Sequence, residues 1–365
     1  NIAFAGFTAP KVLWIKENEP ENFAKIAKIM LPKDYLAYRL SGVHATDVSD
    51  ASGMLLFDVA NRKWSDKMCE ICSVKPEWLA KIFESYEVIG TLKADLAEKL
   101  GVSADVKVIA GAGDNAAAAI GTGTVGDGDC NISLGTSGTV FISSNKYSVD
   151  DHNALHSFAH ANGKWHLMGC MLSAASCNQW WMSDILKDKD FAGAQAGITK
   201  LGENHVFFLP YLMGERSPHN DPEAKGAFLG MRMDTTREDM VQAVFEGVAF
   251  GLKDSLEVAK ASGIDIKRTK ICGGGAKSPL WRKIMANVTG LAVDTIESEE
   301  GPALGGAMLA AVGCGAFASV EDAAKAIVKV TGTVEPEPEL VAKYQERYEV
   351  FKKLYPTLKP VYPLM

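Results

Sequence analysis

The sequence predicts an α/β protein of two domains, and three observations carry that prediction. Short β-branched runs end twice in glycine turns: Val106–Ala110 leads into Gly111-Ala-Gly-Asp-Asn115, and Thr269–Cys272 leads into Gly273-Gly-Gly275. Strands that run into such turns and then into helices place a ligand at the strands' carboxyl ends. The chain has 365 residues, 47% of them hydrophobic, enough to bury two ordinary cores. Finally, the composition changes at Gly121-Thr-Gly-Thr-Val-Gly-Asp-Gly128, whose glycines suit a hinge. The domains are accordingly set at 1–123 and 124–365.

Taken in order, Lys11 to Leu40 reads as helical, with Pro20 and Pro32 marking helix starts. Thr46 to Gly53 is a loop in which Asp47 and Asp50 are expected to order their own backbone. A long helical stretch runs from Ser65 towards Gly101, broken near Pro76 and Gly90. Val106–Ala110, rich in Val and Ile, is expected to be a strand buried in a sheet centre. A small-residue helix from Ala116 to Ile120 follows and ends in Gly121. Beyond the boundary, Cys130–Leu134, Thr139–Ile142 and Trp165–Met168 read as successive strands. Asp239–Leu256 and Ala303–Val312 read as helices, and Val334–Glu339 as an acidic, Pro-rich linker. A last helix carries Tyr344, Tyr348, Phe351 and Tyr355 on one face, the spacing of core packing.

The net charge of −7, with no run of five Lys or Arg, argues against nucleic-acid or membrane-surface partners. No stretch reaches the ~20 apolar residues of a membrane span, and no basic n-region announces a signal peptide. Seven cysteines at irregular intervals suit a reducing cytoplasm. Cys69 and Cys72 lack a second pair or a strand-to-helix setting, so they are read as buried residues of a helix capped at Ser65. His156, His160 and His166 have no zinc-ligand spacing, fall in strand-like segments and are read as structural. Glu215, Arg216 and His219 are candidates to line a cleft, against the plainer reading of an exposed ion pair and a loop histidine.

Two glycine motifs are set aside. Gly121–Gly126 spells a dinucleotide pattern but follows a helix, and Gly273–Ser278 has Ala276 where a P-loop needs Gly. Two other loops are more informative. In Ser133-Leu-Gly-Thr-Ser-Gly138, successive N–H groups and hydroxyls can converge on a phosphate. Gly273-Gly-Gly-Ala276 leaves no side-chain bulk, so a flat ring can lie against the backbone. Asp114 reads as an N-cap of the helix that follows, which is compatible with a functional carboxylate held there by the helix dipole.

Together and in this order, these features resemble the FGGY carbohydrate kinases. Gly6-Phe-Thr-Ala-Pro-Lys-Val-Leu-Trp-Ile-Lys-Glu-Asn18 is similar to the family's first signature. Gly226-Ala-Phe-Leu-Gly-Met231, continued by Asp239–Glu246, is similar to its second. Leu31–Leu36, Ser49–Gly53, Met171–Ser176 and Pro210–His219 are most similar to the xylulokinase branch. The resemblance implies an actin-like, ribonuclease-H-like duplicated fold and transfer of phosphate from ATP, with Mg2+, to D-xylulose. It assigns Asp114 as the base and Asn115 to a neighbouring sugar hydroxyl. It places Gly135, Thr136, Ser137 and Gly138 in a phosphate loop, and Gly274, Gly275 and Ala276 in an adenosine loop with the Gly301–Gly305 helix start beneath. The metal ligands are not identified by it, and a homodimer is compatible with it.

One departure is Pro279, which stands where some relatives have a polar residue at the adenine. A second is that nothing matches the family's Asp-x-Gly-Thr loop. A protein truly starting at Asn1 is therefore expected to have a loosened first domain and no kinase activity. A kinase for another ketose or polyol, and a non-catalytic nucleotide-binding module of the same fold, are the alternative readings. Asp114 favours an enzyme, because a sensor has no use for a base.

Overall fold

The computed structural model describes residues 1–298 and 300–365. At its centre is a seven-stranded mixed sheet. Its order is Val330–Val334, Ala292–Ile296, Arg268–Cys272, Cys130–Leu134, Gly138–Ser144, Trp165–Met171 and His156–Ala159. The three sequence-predicted strands from Cys130 onward pair antiparallel in that order; a tight turn joins the first two, but the strand His156–Ala159 intervenes in the chain before Trp165. Arg268–Cys272 instead lies parallel to Cys130–Leu134, with Cys272 opposite Ser133. Because the two run the same way, the loops after Leu134 and after Cys272 leave the sheet at the same edge.

One face of this sheet is covered by the helix Arg237–Ala261, which opens with a capping box between Thr236 and Asp239. Sixteen of its residues, among them Phe245, Val248, Phe250 and Leu252, are buried, so it packs on most of its circumference. Trp281 stacks on Phe245 at 4.5 Å between ring centres. The final helix, Pro338–Leu358, buries Tyr344, Tyr348, Phe351 and Tyr355 against the same core, as its spacing predicts.

Residues 1–123 fold around smaller sheets. Pro20 and Pro32 do open helices, Pro20–Phe23 and Pro32–Ser41, but residues 24–31 between them are not helical. The stretch from Ser65 to Gly101 is not one broken helix. Asp66–Cys72 is helical and capped by Ser65, with Cys69 and Cys72 buried. Lys81–Phe83 and Val88–Thr91 are strands, paired with Ala45–Asp47 and Lys107–Ile109 respectively. Local sequence favoured helix there; pairing with distant segments overrides it. Among the described residues the strand Lys107–Ile109 pairs with Val88–Thr91 alone; Lys107 is exposed, and Val108 and Ile109 are half-buried.

Two of the glycines from 121 to 128 are required by close packing. A Cβ at Gly121 would stand 1.9 Å from the Gly301 carbonyl oxygen, and one at Gly305 would stand 1.8 Å from that of Ala117. The helices Asp114–Gly121 and Gly301–Gly313 therefore touch backbone to backbone. Gly128 adopts φ 77°, and a Cβ there would stand 2.2 Å from the Asp265 carbonyl oxygen.

Candidate active site

Asp114 is the first residue of its helix, and Gly113, in extended conformation, holds the cap position. The expected N-cap role of Asp114 is thereby corrected: its side chain caps nothing further along the helix. Its Oδ1 accepts instead the backbone N–H of Asn115 at 2.7 Å and the side-chain Nδ2 of Asn115 at 3.0 Å. Ala116, Ala117, Ala119 and Ile120 of the same helix are buried. Apolar packing thus fixes the helix while its first two side chains stay exposed.

Below this turn lies a buried charge cluster. The Gly113 N–H donates to Ser49 Oγ at 3.1 Å, and Ser49 Oγ donates to Asp47 at 2.5 Å. Asp47, fully buried, caps its own helix turn as expected, and also accepts Ser85 Oγ at 2.7 Å. Lys33 Nζ meets Asp34 at 2.6 Å, Asp47 at 2.9 Å and Asp50 at 3.8 Å. Burial alone lowers the pKa of this ammonium, but Asp47, Asp34 and Asp50 together outweigh burial and raise it. The Asp50 carboxylate, unlike that of Asp47, accepts no backbone N–H of its loop among the described residues. Asp50 lines the cavity beside Asp114, and burial pushes its carboxyl up to about 6, with Lys33 pulling down and Asp47, Asp34 and Asp114 adding to the rise.

That cavity has a volume of about 480 Å³. Ser49, Asp50, Asp114 and Asn115 form one wall, Phe4 and Phe7 another. The floor is Thr139, His166, Met168 and Cys170, alternate residues of two paired strands in which Thr139 lies opposite Cys170. Arg216 closes the ring. The exposed ion pair fails as a reading: Glu215 is buried and accepts the N–H groups of Leu172 and Arg216, at 3.0 and 2.7 Å. Burial pushes the Glu215 carboxyl up to about 8. His219 is not in the cavity; it stacks on Tyr355 at 3.7 Å between ring centres and bonds Tyr211 Oη. His156 and His160 are buried, and desolvation first of all holds both down to about 4. The structural reading of His166 was incomplete. It lines the cavity, is 3% exposed, and makes no hydrogen bond among the described residues. Alternation along a strand was the signal that could have found it.

A second cavity, of about 830 Å³, opens where the two parallel strands end. Gly135, Thr136, Gly274, Gly275 and Pro279 line it. The carbonyls of Gly135 and Thr136 are taken by the N–H groups of Ala175 and Ala174, at 2.8 and 3.0 Å. The N–H groups of Gly135, Thr136 and Ser137 donate to no described residue, the arrangement a phosphate requires. Ser137, Gly138 and Ala276 do not line this cavity. Ser137 is exposed at the hairpin tip. Gly138 is buried, and a Cβ there would stand 3.1 Å from Leu252 Cδ2. Ala276 packs into the core, and its carbonyl accepts Arg282. Open space surrounds only Gly274; Gly273 and Gly275 are small because the chain passes Leu134 there, within 3 Å of where a Cβ would be.

Residues 1–121 match the N-terminal domain, and residues 130–314 the C-terminal domain, of the FGGY family of carbohydrate kinases. The chain is 40% identical over 365 residues to the xylulose kinase of Escherichia coli (strain K12), covering 99% of this chain and 75% of that one. It is 34% identical to the xylulose kinase of Bacillus subtilis (strain 168), covering 97% and 72%. Among solved structures, a xyloylose kinase from Brucella ovis superposes with a TM-score of 0.94 at 37% identity, over 99% of this chain and 75% of that one. A gluconate kinase from Lactobacillus acidophilus gives 0.92 at 26% identity, over 98% and 73%. Kinases of the actin-like ATPase fold are thus its structural neighbours. With matched family domains along most of its length, the chain belongs to the FGGY carbohydrate kinases and is a sugar kinase, a phosphotransferase with an alcohol group as acceptor.

Proposed function

We propose that the chain phosphorylates D-xylulose at its 5-hydroxyl with ATP as donor. The observation that carries this reading is the placing of Asp114 and Asn115 on the wall of a cavity whose floor strand, Gly138–Ser144, begins at the Gly135–Ser137 loop of the second cavity. A volume of about 480 Å³ has room for a five-carbon sugar. The names of the most similar relatives supply the identity of that sugar.

In this reading the sugar's reacting hydroxyl faces Asp114, and Asn115 bonds its neighbour. The N–H groups of Gly135, Thr136 and Ser137 hold the phosphates, and the nucleoside lies along Gly274 and Gly275. A bond forms between the hydroxyl oxygen and the γ-phosphorus while the bond to ADP breaks, its electron pair leaving with ADP. The hydroxyl proton passes to Asp114. That carboxylate is a weak base for an alcohol, but the proton leaves late in phosphoryl transfer and positioning carries most of the rate.

Mg2+ enters with ATP as part of the substrate, where it shields phosphate charge. Among the described residues no three His, Cys, Asp or Glu side chains gather into a metal cage. Asp50 and Asp114, on one wall, are the carboxylates that line the cavity, and one or two suffice for Mg2+ held by phosphates. We place the domain division at 123/124, between the Asp114 helix and the central sheet. Seven free thiols fit a cytoplasmic setting, and among the described residues no helix is long and apolar enough to cross a membrane.

The test is a coupled assay of ADP release, on the protein with any segment that precedes Asn1 in place, over a panel of ketoses and polyols. D-xylulose should give the highest kcat/KM. A higher value for another ketose, a polyol or gluconate would replace the substrate, and no turnover on any sugar would refute the reading.

A further inference from the structure

We infer that Arg216 is the cation that receives the transferring phosphoryl group, a role that rests on the kinase reading above. The guanidinium lines the cavity that holds Asp114, yet everything it touches is neutral. It lies over the Phe4 ring at 4.7 Å, one terminal nitrogen meets His156 Nε2 at 3.0 Å, and the other points at Cys170 Sγ at 3.7 Å. His156 stays uncharged beside it, held down to about 4 by burial first and by Arg216 second. Among the described residues no carboxylate comes within ion-pair distance of the guanidinium, and its Nε is buried without a partner. A partly desolvated cation left without an anion in a substrate cavity is ready for an anion that arrives with the substrate.

Sheet register says where along the cavity this cation sits. The floor runs from His166, opposite Ser143, through Met168, opposite Phe141, to Cys170, opposite Thr139. Thr139 is one residue from Gly138, where the phosphate-loop hairpin closes. Arg216 contacts the Cys170 end, next to that loop, and not the His166 end. It is fixed there from two sides: the Ser217 N–H donates to the Cys170 carbonyl at 3.0 Å, and buried Glu215 accepts the Arg216 N–H at 2.7 Å. A neutral sugar offers nothing anionic at any point. The group in flight between ADP and the hydroxyl is anionic at every point. Arg216 thus matches the phosphoryl group, and a fork of donors aimed at its oxygens stabilises the transition state more than either ground state.

The experiment compares wild type with Arg216→Gln, Arg216→Lys and Arg216→Ala on whichever sugar the wild type phosphorylates, since the transferred group is common to all. Arg216→Gln should lower kcat by ~10³-fold, the low end for an arginine acting on a transferred phosphoryl group. The KM for sugar and the calorimetric affinity for the free sugar should stay within a few-fold. Arg216→Lys keeps the charge but loses the planar guanidinium that lies over Phe4, and should recover only part of kcat. Added guanidinium chloride should raise the kcat of Arg216→Ala, which a purely structural arginine would not allow. A raised sugar KM with kcat preserved makes Arg216 a sugar contact and overturns the inference. Near wild-type kcat in Arg216→Gln overturns it too, as does equal loss in all three variants with lowered melting temperatures and no guanidinium rescue. Failure of D-xylulose alone, with another sugar accepted, removes the substrate assignment and leaves the Arg216 comparison decisive.

Discussion

Ser49 Oγ accepts the backbone N–H of Gly113 at 3.1 Å, so the turn that presents Asp114 is suspended from the buried cluster around Asp47. Lys33 is the only cation of that cluster among the described residues, facing Asp34, Asp47 and Asp50 at once. Lys33→Met would leave Asp34 and Asp47, 2% and 0% exposed, without their counter-ion. Breaking a buried ion pair from one side costs ~3–5 kcal/mol. Urea unfolding should register a loss of that order, and a loss below ~1 kcal/mol, the level of a surface pair, would contradict the account.

Asp114→Asn tests the base without disturbing its surroundings. The amide oxygen can still accept the Asn115 N–H, and the side chain is exposed, so melting temperature should hardly change. Turnover should fall by at least ~10²-fold, the low end for general-base catalysis, with nucleotide affinity within a few-fold of wild type. Retained turnover would remove Asp114 from the chemistry.

Gly305 offers a packing test with a built-in control. In Gly305→Ala the new methyl would overlap the Ala117 carbonyl, so the helices must separate, at a cost of ~1–3 kcal/mol or more. Activity should drop as well, because Ala117 lies one turn from Asp114. Gly306, its neighbour in the same helix, has nothing within 4 Å of its Cβ position. Gly306→Ala should be neutral or stabilising by up to ~1 kcal/mol. Equal effects from the two would refute the backbone contact.

Acid stability should depend on the buried histidines. His156 and His160 are held down to about 4, and His166 well below its ordinary value, in each case first by burial. Between the ordinary histidine pKa of about 6.5 and these values, the unfolded chain binds more protons than the native one. Their contribution is therefore complete above about 6.5 and is lost as pH falls. His166→Phe preserves the stacking on Phe141 at 4.0 Å and removes one of these groups. Its melting temperature should decline less steeply from pH 6.5 to 4.5 than that of wild type. Glu215 has the opposite sign: its pKa is raised to about 8, so the native state binds the extra proton and stability falls as pH rises from about 4.5 to 8. Glu215→Gln should flatten that limb, and a parallel pH profile in either variant would count against the corresponding burial effect.

Four strands of the central sheet were legible because each announces itself locally, whereas Ala292–Ile296 and Val330–Val334 were not read from the sequence and His156–Ala159 only as a strand-like segment. Cys130–Leu134 and Arg268–Cys272 are short runs with alternating apolar residues that end at a glycine, and Trp165–Met171 follows a turn. Lys81–Phe83 and Val88–Thr91 were not, since each is strand only by virtue of a partner some twenty to forty residues away. The same asymmetry holds in the site. Asp114, Thr136 and Gly274 sit in turns whose composition marks them. Asp50 and Arg216 reach the cavity through tertiary placement; Arg216 was a cleft candidate set against the plainer reading of an exposed ion pair, and strand alternation was the local sign for His166. Close chain passage requires glycine at 121 and 273, a constraint their local sequence does not show.

The floor of the smaller cavity separates recognition from folding. On the strand Trp165–Met171, His166, Met168 and Cys170 point to the cavity side, while Leu167 and Met171 belong to the main core beneath the long helix. Exchanging any of the first three for a side chain of similar size leaves the main core under the long helix untouched, although Met168 packs in a smaller cluster with Ala119, Phe141 and Phe158. A related chain could therefore drift from one sugar to another along these alternate positions at little cost in stability. Insertion of a single residue in this strand has no such freedom, because it would send the cavity residues inward and the core residues into the site.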